Sequence, residues 1–349
     1  MRLALYLALT WCAAWPAAAQ SPTDPANPHA NAQTRALLRY IQGLPAAGSH
    51  KILSGQFTQF GSGAGVKMLD QIHDKTGHWP AIAGVDYADF GSSDLSTNHP
   101  NRTLIEYARA GGIATVSAHL YDPSNDNDYG LRDKGVDLNT LLTPGKTHDE
   151  WMHELDRVAA GLAQLRDSGV VVLWRPFHEM NGGWFWWGAK DPEVFIKVWR
   201  HMFDYFTETK GLDNLLWVYA PNHGAKTASY YAGDRYVDLV GLDAYTDFID
   251  QKHILGYPEM AALPKPFGFT EFGPHGASNP PGDYDYVRFI DGIGKEFPKT
   301  CFFMCWNGNW SLGRNLHTKE LLDNPLMANR EDVPAGLSAK QNKAQAIKE

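Results

Sequence analysis

Beyond its first twenty residues the 349-residue chain has no long apolar run. A membrane-spanning helix needs about 20 consecutive apolar residues, so no helical span and no membrane partner are predicted. The exception at the start combines a basic Arg2, an apolar stretch over residues 3–15 and Ala17, Ala18 and Ala19 before Gln20. That stretch is too short to cross a bilayer, and the pattern is that of a secretory leader with a small-residue cleavage site. Residues 1–19 are therefore predicted to be removed on export, leaving a secreted or periplasmic protein. Cysteine is scarce: of three, Cys12 lies in the leader behind Trp11, where a lipid-attachment site takes a small residue. Cys301 and Cys305 share one strand-like run, where four steps of about 3.3 Å place their Cα atoms roughly 13 Å apart, beyond the reach of a disulfide at about 7 Å. Both are expected to be buried thiols without metal or redox use. Only 20% of residues are charged, the net charge is −8 and Lys and Arg do not cluster. Nucleic acid is thereby excluded as a partner, since its binders carry a basic patch. No Gly-rich phosphate loop follows the first strand-like run, so a nucleotide role finds no support. Repeats are absent, low complexity is confined to the ends, and a monomer is expected.

Apolar residues make up 44% of the chain, enough for the core of an eight-fold α/β barrel, which takes about 250 residues. Short runs rich in Val, Leu, Phe and Trp, bounded by Gly or Pro, read as buried strands over residues 52–56, 81–87, 112–120, 170–179, 215–222, 237–245, 267–272 and 301–307. Helical periodicity separates them, clearest over 150–166, where Trp151, Leu155, Val158, Leu162 and Leu165 recur at three- and four-residue spacing, and also over 33–42, 194–206 and 284–297. Alternating strand and helix with continuous apolar strands implies a parallel sheet covered by helices. Eight units favour a closed α/β fold, a (β/α)8 TIM barrel, over an open doubly wound sheet. The predicted domain order is a leader segment at 20–32, the barrel at 33–328, and a polar tail at 329–349. Containing Pro334 and Gly336, that tail is expected to lie on the surface or to be mobile.

Two glutamates end apolar runs and open loops: Glu179 after the fourth predicted strand and Glu271 after the seventh. Carboxylates at the C-terminal ends of barrel strands occupy the face where such folds keep their chemistry. A pair of them is what glycoside hydrolysis needs, one protonated to assist the leaving oxygen and one ionised to attack. His178 precedes Glu179 on the fourth strand, and His119, Tyr245 and Trp306 end other strands on that face, although each read singly is more often a packing residue. Trp184, Trp186 and Trp187 offer flat apolar surfaces of the kind that take sugar rings, with Trp184 chosen for ligand contact and at least one of the three expected to be structural. His119 and His178 beside a carboxylate also suggest a metal site. Adjacent strand residues point to opposite faces, however, so His178 and Glu179 are not expected to share one ion. Asp122, Ser124, Asp126 and Asp128 alternate as in a calcium loop, but Asn127 stands at the turn position where glycine is expected, and a solvated acidic loop is the simpler reading. No cofactor and no metal are predicted.

The segments WRPFHEMNGGWFWWG at 174–188 and FTEFG at 269–273 resemble those of family 26 glycoside hydrolases, chiefly β-mannanases. LSGQ at 53–56, SAHL at 117–120, DAY at 243–245 and CWN at 305–307 also fall where that family has strand ends, so the likeness runs from about residue 33 to 326. It implies a (β/α)8 barrel and a cofactor-free retaining double displacement, with Glu179 as acid/base and Glu271 as nucleophile. By the same matching His178 would orient substrate and Glu179, Tyr245 would hydrogen-bond Glu271, and His119, Trp184 and Trp306 would line the sugar site. Arg175 is assigned as electrostatic support beneath Glu271; Trp310 and Tyr121 match less distinctly. The implied partner is β-1,4-mannan, cut internally. Cleavage of β-1,3-xylan or mixed-linkage β-glucan and exo attack are the alternatives within the family, and a non-catalytic carbohydrate-binding barrel is the alternative outside it. A short loop at 87–98 favours an open cleft.

Overall fold

A computed structural model describes residues 24–46, 48, 50–88, 97–125, 130–276, 280–337 and 339. The predicted secretory leader, most of the 87–98 loop, and Asp126 to Asp128 of the acidic stretch lie outside these residues. Ten strands make one sheet: β1 Ile52–Leu53, β2 Gly55–Phe60, β3 Ile82–Asp86, β4 Ile113–Ser117, β5 Val172–Arg175, β6 Leu215–Tyr219, β7 Leu239–Tyr245, β8 Phe267–Gly273, β9 Thr300–Cys305 and β10 Met327–Ala328. Neighbours from β2 to β9 pair in parallel, and Gln56 opposite Cys305 closes β9 onto β2, giving an eight-stranded barrel. β1 and β10 pair with each other at its base.

The helices are α1 Ala32–Gly43, α2 Lys67–Thr76, α3 Asn98–Arg109, α4 Lys146–Asp167, α5 Pro192–Asp204, α6 Tyr257–Ala261, α7 Tyr286–Glu296 and α8 Thr318–Leu322. α5 shows how the local sequence writes one: Asp191 caps it by accepting from the N–H groups of Glu193 and Val194, and Pro192 occupies the first turn, where its missing N–H costs nothing. Its Phe195, Val198, Trp199, Met202 and Phe203 are buried at helical spacing. Each such side chain contributes about 1.5–3 kcal/mol of apolar burial.

Strand alternation divides the core in two. On β5 and β6, Val172, Trp174, Leu215 and Trp217 face the surrounding helices, whereas Leu173, Leu216 and Val218 fill the barrel. Leu37, Leu38 and Ile41 of α1 belong to the interior cluster, so α1 covers the N-terminal mouth and leaves the C-terminal end open.

Three expectations change. The first predicted strand is two: at Ser54 the chain passes from pairing with β10, where its N–H donates to the Ala328 carbonyl at 3.0 Å, to pairing with β3, where its carbonyl accepts from the Ile82 N–H at 2.9 Å, while its Oγ–H donates to Asn329 Oδ1 at 2.8 Å. The fourth ends at Arg175 rather than at Glu179. The tail is held at its start: Asn329 is buried, and the Arg330 guanidinium lies 4.2 Å from the Trp79 ring centroid. Cys301 and Cys305 are buried free thiols. Among the described residues no helix is long and apolar enough to cross a membrane.

Candidate active site

At the open end of the barrel lies a cavity of about 970 Å³, and His119, His178, Glu179, Trp184, Tyr245, Glu271 and Trp306 all line it. Arg175 sits beneath, 1% exposed. Phe60, Arg132, Phe185, Asn222, His223 and Trp310 line it too. None of the first five was singled out from sequence: Phe185 lies within the 174–188 motif but was given no role beside its tryptophans, and the other four stand in segments whose pattern is that of an ordinary loop or strand end.

Two backbone irregularities aim the glutamates. Strict alternation along β8 would send Glu271 outward with Phe267 and Phe269, which pack against the outer helices. The β7–β8 ladder slips by one residue between Leu242 and Asp243, so Glu271 is brought opposite Asp243 while Phe272 returns to the outer core. This is the re-aiming that a β-bulge performs next to active sites. After β5, Phe177 and Glu179 adopt φ of 50° and 57°, conformations that non-glycine residues rarely take. The Glu179 N–H donates to the Ala220 carbonyl at 2.7 Å, fixing the turn. His178 and Glu179 therefore line one cavity, against the opposite-face expectation, which holds only for continuous strand.

The two carboxyl groups have different company. Glu271 accepts on both oxygens, from the Arg175 guanidinium and from the Tyr245 hydroxyl at 2.6 Å. Gly273 permits that approach, since a Cβ there would stand 2.5 Å from the Tyr245 ring. Arg175 also donates to Asp243 at 2.7 Å and to the Ser117 hydroxyl at 3.0 Å. Among the described residues, the Glu179 carboxyl receives only the Trp184 indole N–H, at 2.5 Å. One oxygen from each of Glu179, Asp243 and Glu271 lies within 4.8 Å of the others. Three carboxyls thus crowd together, and the Arg175 guanidinium touches two of them, Asp243 and Glu271. Burial first, then the charges of Asp243 and Glu271, push the Glu179 pKa well above its ordinary value. Asp243 is likewise raised, by burial and by Glu271 against the opposing pull of Arg175. Glu179 is the carboxyl without a guanidinium contact, and so it is where a proton is best retained. Burial, followed by Arg175 and His119, holds His178 well below the usual imidazole range.

The tryptophans separate by role. Trp184 is 38% exposed over the cleft. Trp186 and Trp187 are fully buried, and their N–H groups donate to the carbonyls of Leu120 and His178, each at 2.9 Å. Backbone, rather than a hydroxylic ligand, satisfies them. Gln56 holds Trp306 in place, donating to its carbonyl at 2.9 Å while accepting from the Leu312 N–H at 2.9 Å. A buried acid facing an ionised partner at this range suits displacement at a carbon held between them, with proton transfer to the departing atom.

The model of glycosyl hydrolase family 26 matches residues 26–332. A mannan endo-1,4-β-mannosidase of Bacillus subtilis is 36% identical over 328 residues, covering 88% of this chain and 89% of that protein. A solved Bacillus subtilis mannanase, BCman, superposes with a TM-score of 0.83 at 34% identity, over 91% of this chain and 98% of that one. A second solved structure, Bacillus subtilis mannanase man26, gives 0.82 at 33% identity with the same coverage.

Proposed function

The chain belongs to glycosyl hydrolase family 26, and from that premise we propose that it is an endo-acting β-1,4-mannanase that cleaves internal linkages of mannan, glucomannan or galactomannan with retention. The observation that carries the reading is the unequal carboxyl pair, Glu179 and Glu271, within 4.8 Å of each other in a cleft walled by aromatic rings. Retaining enzymes hold their carboxyls about 5–5.5 Å apart, whereas inverting ones leave about 6.5–9.5 Å for a water. The relatives that are 34–36% identical over 88–89% of this chain are mannan endo-1,4-β-mannosidases, which supports mannan over other β-glycans.

In the first step a Glu271 oxygen attacks the anomeric carbon, the glycosidic C–O bond breaks, and the Glu179 proton passes to the leaving oxygen. The products are a glycosyl ester on Glu271 and a shortened chain. In the second, the Glu179 carboxylate takes a proton from water as that water attacks the anomeric carbon and expels Glu271. Two inversions give net retention. Arg175 and Tyr245 hold Glu271 in line, and Trp184, Trp306, His119 and His178 bind the sugars flanking the bond. The protein acts as a monomer, exported after loss of residues 1–19, where a polymeric substrate is accessible.

Hydrolysis of mannan, β-1,3-xylan and mixed-linkage β-glucan, with product anomers followed by NMR, tests the reading. Early β-anomeric oligosaccharides of mixed length from mannan are expected. Turnover of a rival glycan without mannan, release of disaccharide alone, or initial α-anomer would overturn substrate, mode or stereochemistry respectively.

A further inference from the structure

His119 and His178 face each other across 3.1 Å between their Nε2 atoms, a distance that one hydrogen bridges. What determines which ring owns that hydrogen lies behind them. Asp86 ends β3 and is 1% exposed. One of its oxygens accepts from the backbone N–H groups of Ala88 at 2.9 Å and His119 at 3.0 Å, and the other faces His119 Nδ1 at 2.8 Å. Two backbone N–H groups already donate to this buried carboxyl, and hydrogen bonds of that kind favour its ionised form. An ionised carboxylate only accepts, so His119 Nδ1 carries a hydrogen.

Two arrangements remain. If the bridging hydrogen sat on His119 Nε2, that ring would be an imidazolium, and the hydrogen of a neutral His178 would sit on its Nδ1. That atom is buried with no hydrogen-bond partner among the described residues, and an orphaned buried N–H is the rarer fault in proteins. If the hydrogen sits on His178 Nε2, only a lone pair goes unpartnered.

We propose that Asp86 is a positioning residue that sets the direction of the chain, with His178 Nε2–H donating to His119 Nε2, His119 Nδ1–H donating to Asp86, and both rings uncharged. The kinetic consequence rests on the function proposed above. A sugar hydroxyl entering between the rings accepts from His178 and donates to His119. Two neutral rings beside Glu179 leave its proton in place, whereas an imidazolium would favour its ionised form.

Long-range ¹⁵N–¹H correlation spectra of ¹⁵N-histidine-labelled protein read the hydrogens directly and need no substrate. Expected are a protonated Nδ1 and bare Nε2 for His119 and the reverse for His178. An imidazolium pattern at His119 or a protonated Nδ1 at His178 overturns the proposal, whether or not any variant folds. The near-isosteric Asp86→Asn places an amide donor against His119 Nδ1 and should reverse both patterns. With folding confirmed by its melting curve, its kcat/KM on mannan should fall about 10- to 100-fold, the usual loss when a partner that fixes an imidazole tautomer is removed from a metal site. An unchanged ring pattern, or a reversed pattern with unchanged kcat/KM, overturns the assignment. Failure of the unsubstituted protein to cleave mannan would instead count against the proposed function, leaving the spectra unaffected.

Discussion

A guanidinium and a phenol hold Glu271 while a single indole N–H reaches Glu179, and under the proposed mechanism this division of partners is what would give two identical side chains different work. Glu271→Ala should fold, because Arg175 keeps Asp243 as a partner, and should bind mannan while losing at least about 10²–10⁴-fold in kcat, the scale of one positioned catalytic group. Near-normal hydrolysis by that variant removes Glu271 from the reaction. The raised Glu179 pKa has a sign consequence: the acid form is needed for bond breaking, so activity is lost as pH rises through that value. The Trp184 hydrogen bond favours the ionised form. Trp184→Phe should therefore move the alkaline limb of kcat/KM to higher pH, and a shift to lower pH would show that the indole does not act on Glu179. Both glutamates, with His119, His178, Tyr245 and Trp306, were legible because each stands at the end of an apolar run, whereas Arg175 lies inside one and was reached through the family resemblance. Asp243 and Asp86 carry charge into the same site yet sit inside apolar runs, where sequence shows one polar residue and not its partner.

At the scale of elements, periodicity located every barrel strand and α1, α4, α5 and α7, since apolar spacing is a local property, but not α2 or α3. It did not locate the β7–β8 slip or the turn after β5, which arise from pairing across strands. The connection between α2 and β3 is tied to the C-terminal segment by His78, whose ring lies 2.8 Å from Asp323 and also contacts Glu331. Burial lowers the pKa of this ring, but the two carboxylates outweigh burial and leave it raised above 6.5. A histidine raised on folding contributes stability that is fully present below the unfolded value and is lost as pH rises through the folded one. The protein should thus lose stability as pH climbs from about 6.5, and His78→Gln should flatten that dependence. Denaturant midpoints between pH 5.5 and 8.5 measure it, and an equal slope in both proteins would dismiss the tie.

Across the whole molecule, the C-terminal segment completes the base of the barrel. Asn329 accepts from Ser54 and donates to the Leu322 carbonyl at 2.9 Å, and Arg330 covers Trp79 and Tyr107. Deleting residues from 329 onward removes two hydrogen bonds of Asn329, the Arg330 contacts with two rings and the His78–Glu331 contact, and at about 1 kcal/mol or less each should cost roughly 2–4 kcal/mol, with no change in product anomer. An unaltered melting temperature would return this stretch to the dispensable surface that its polar composition suggested. The linear chain sufficed for the barrel class, the count of its strands and the two glutamates at their ends, because apolar runs, turn residues and helical spacing act over a few neighbours. The folded barrel was needed to turn Glu271 inward, to fold Glu179 beside His178, to seat Arg175 between two carboxylates and to bury two of three adjacent tryptophans. Each of those outcomes depends on groups far apart along the backbone meeting at one point, and no local pattern encodes that meeting.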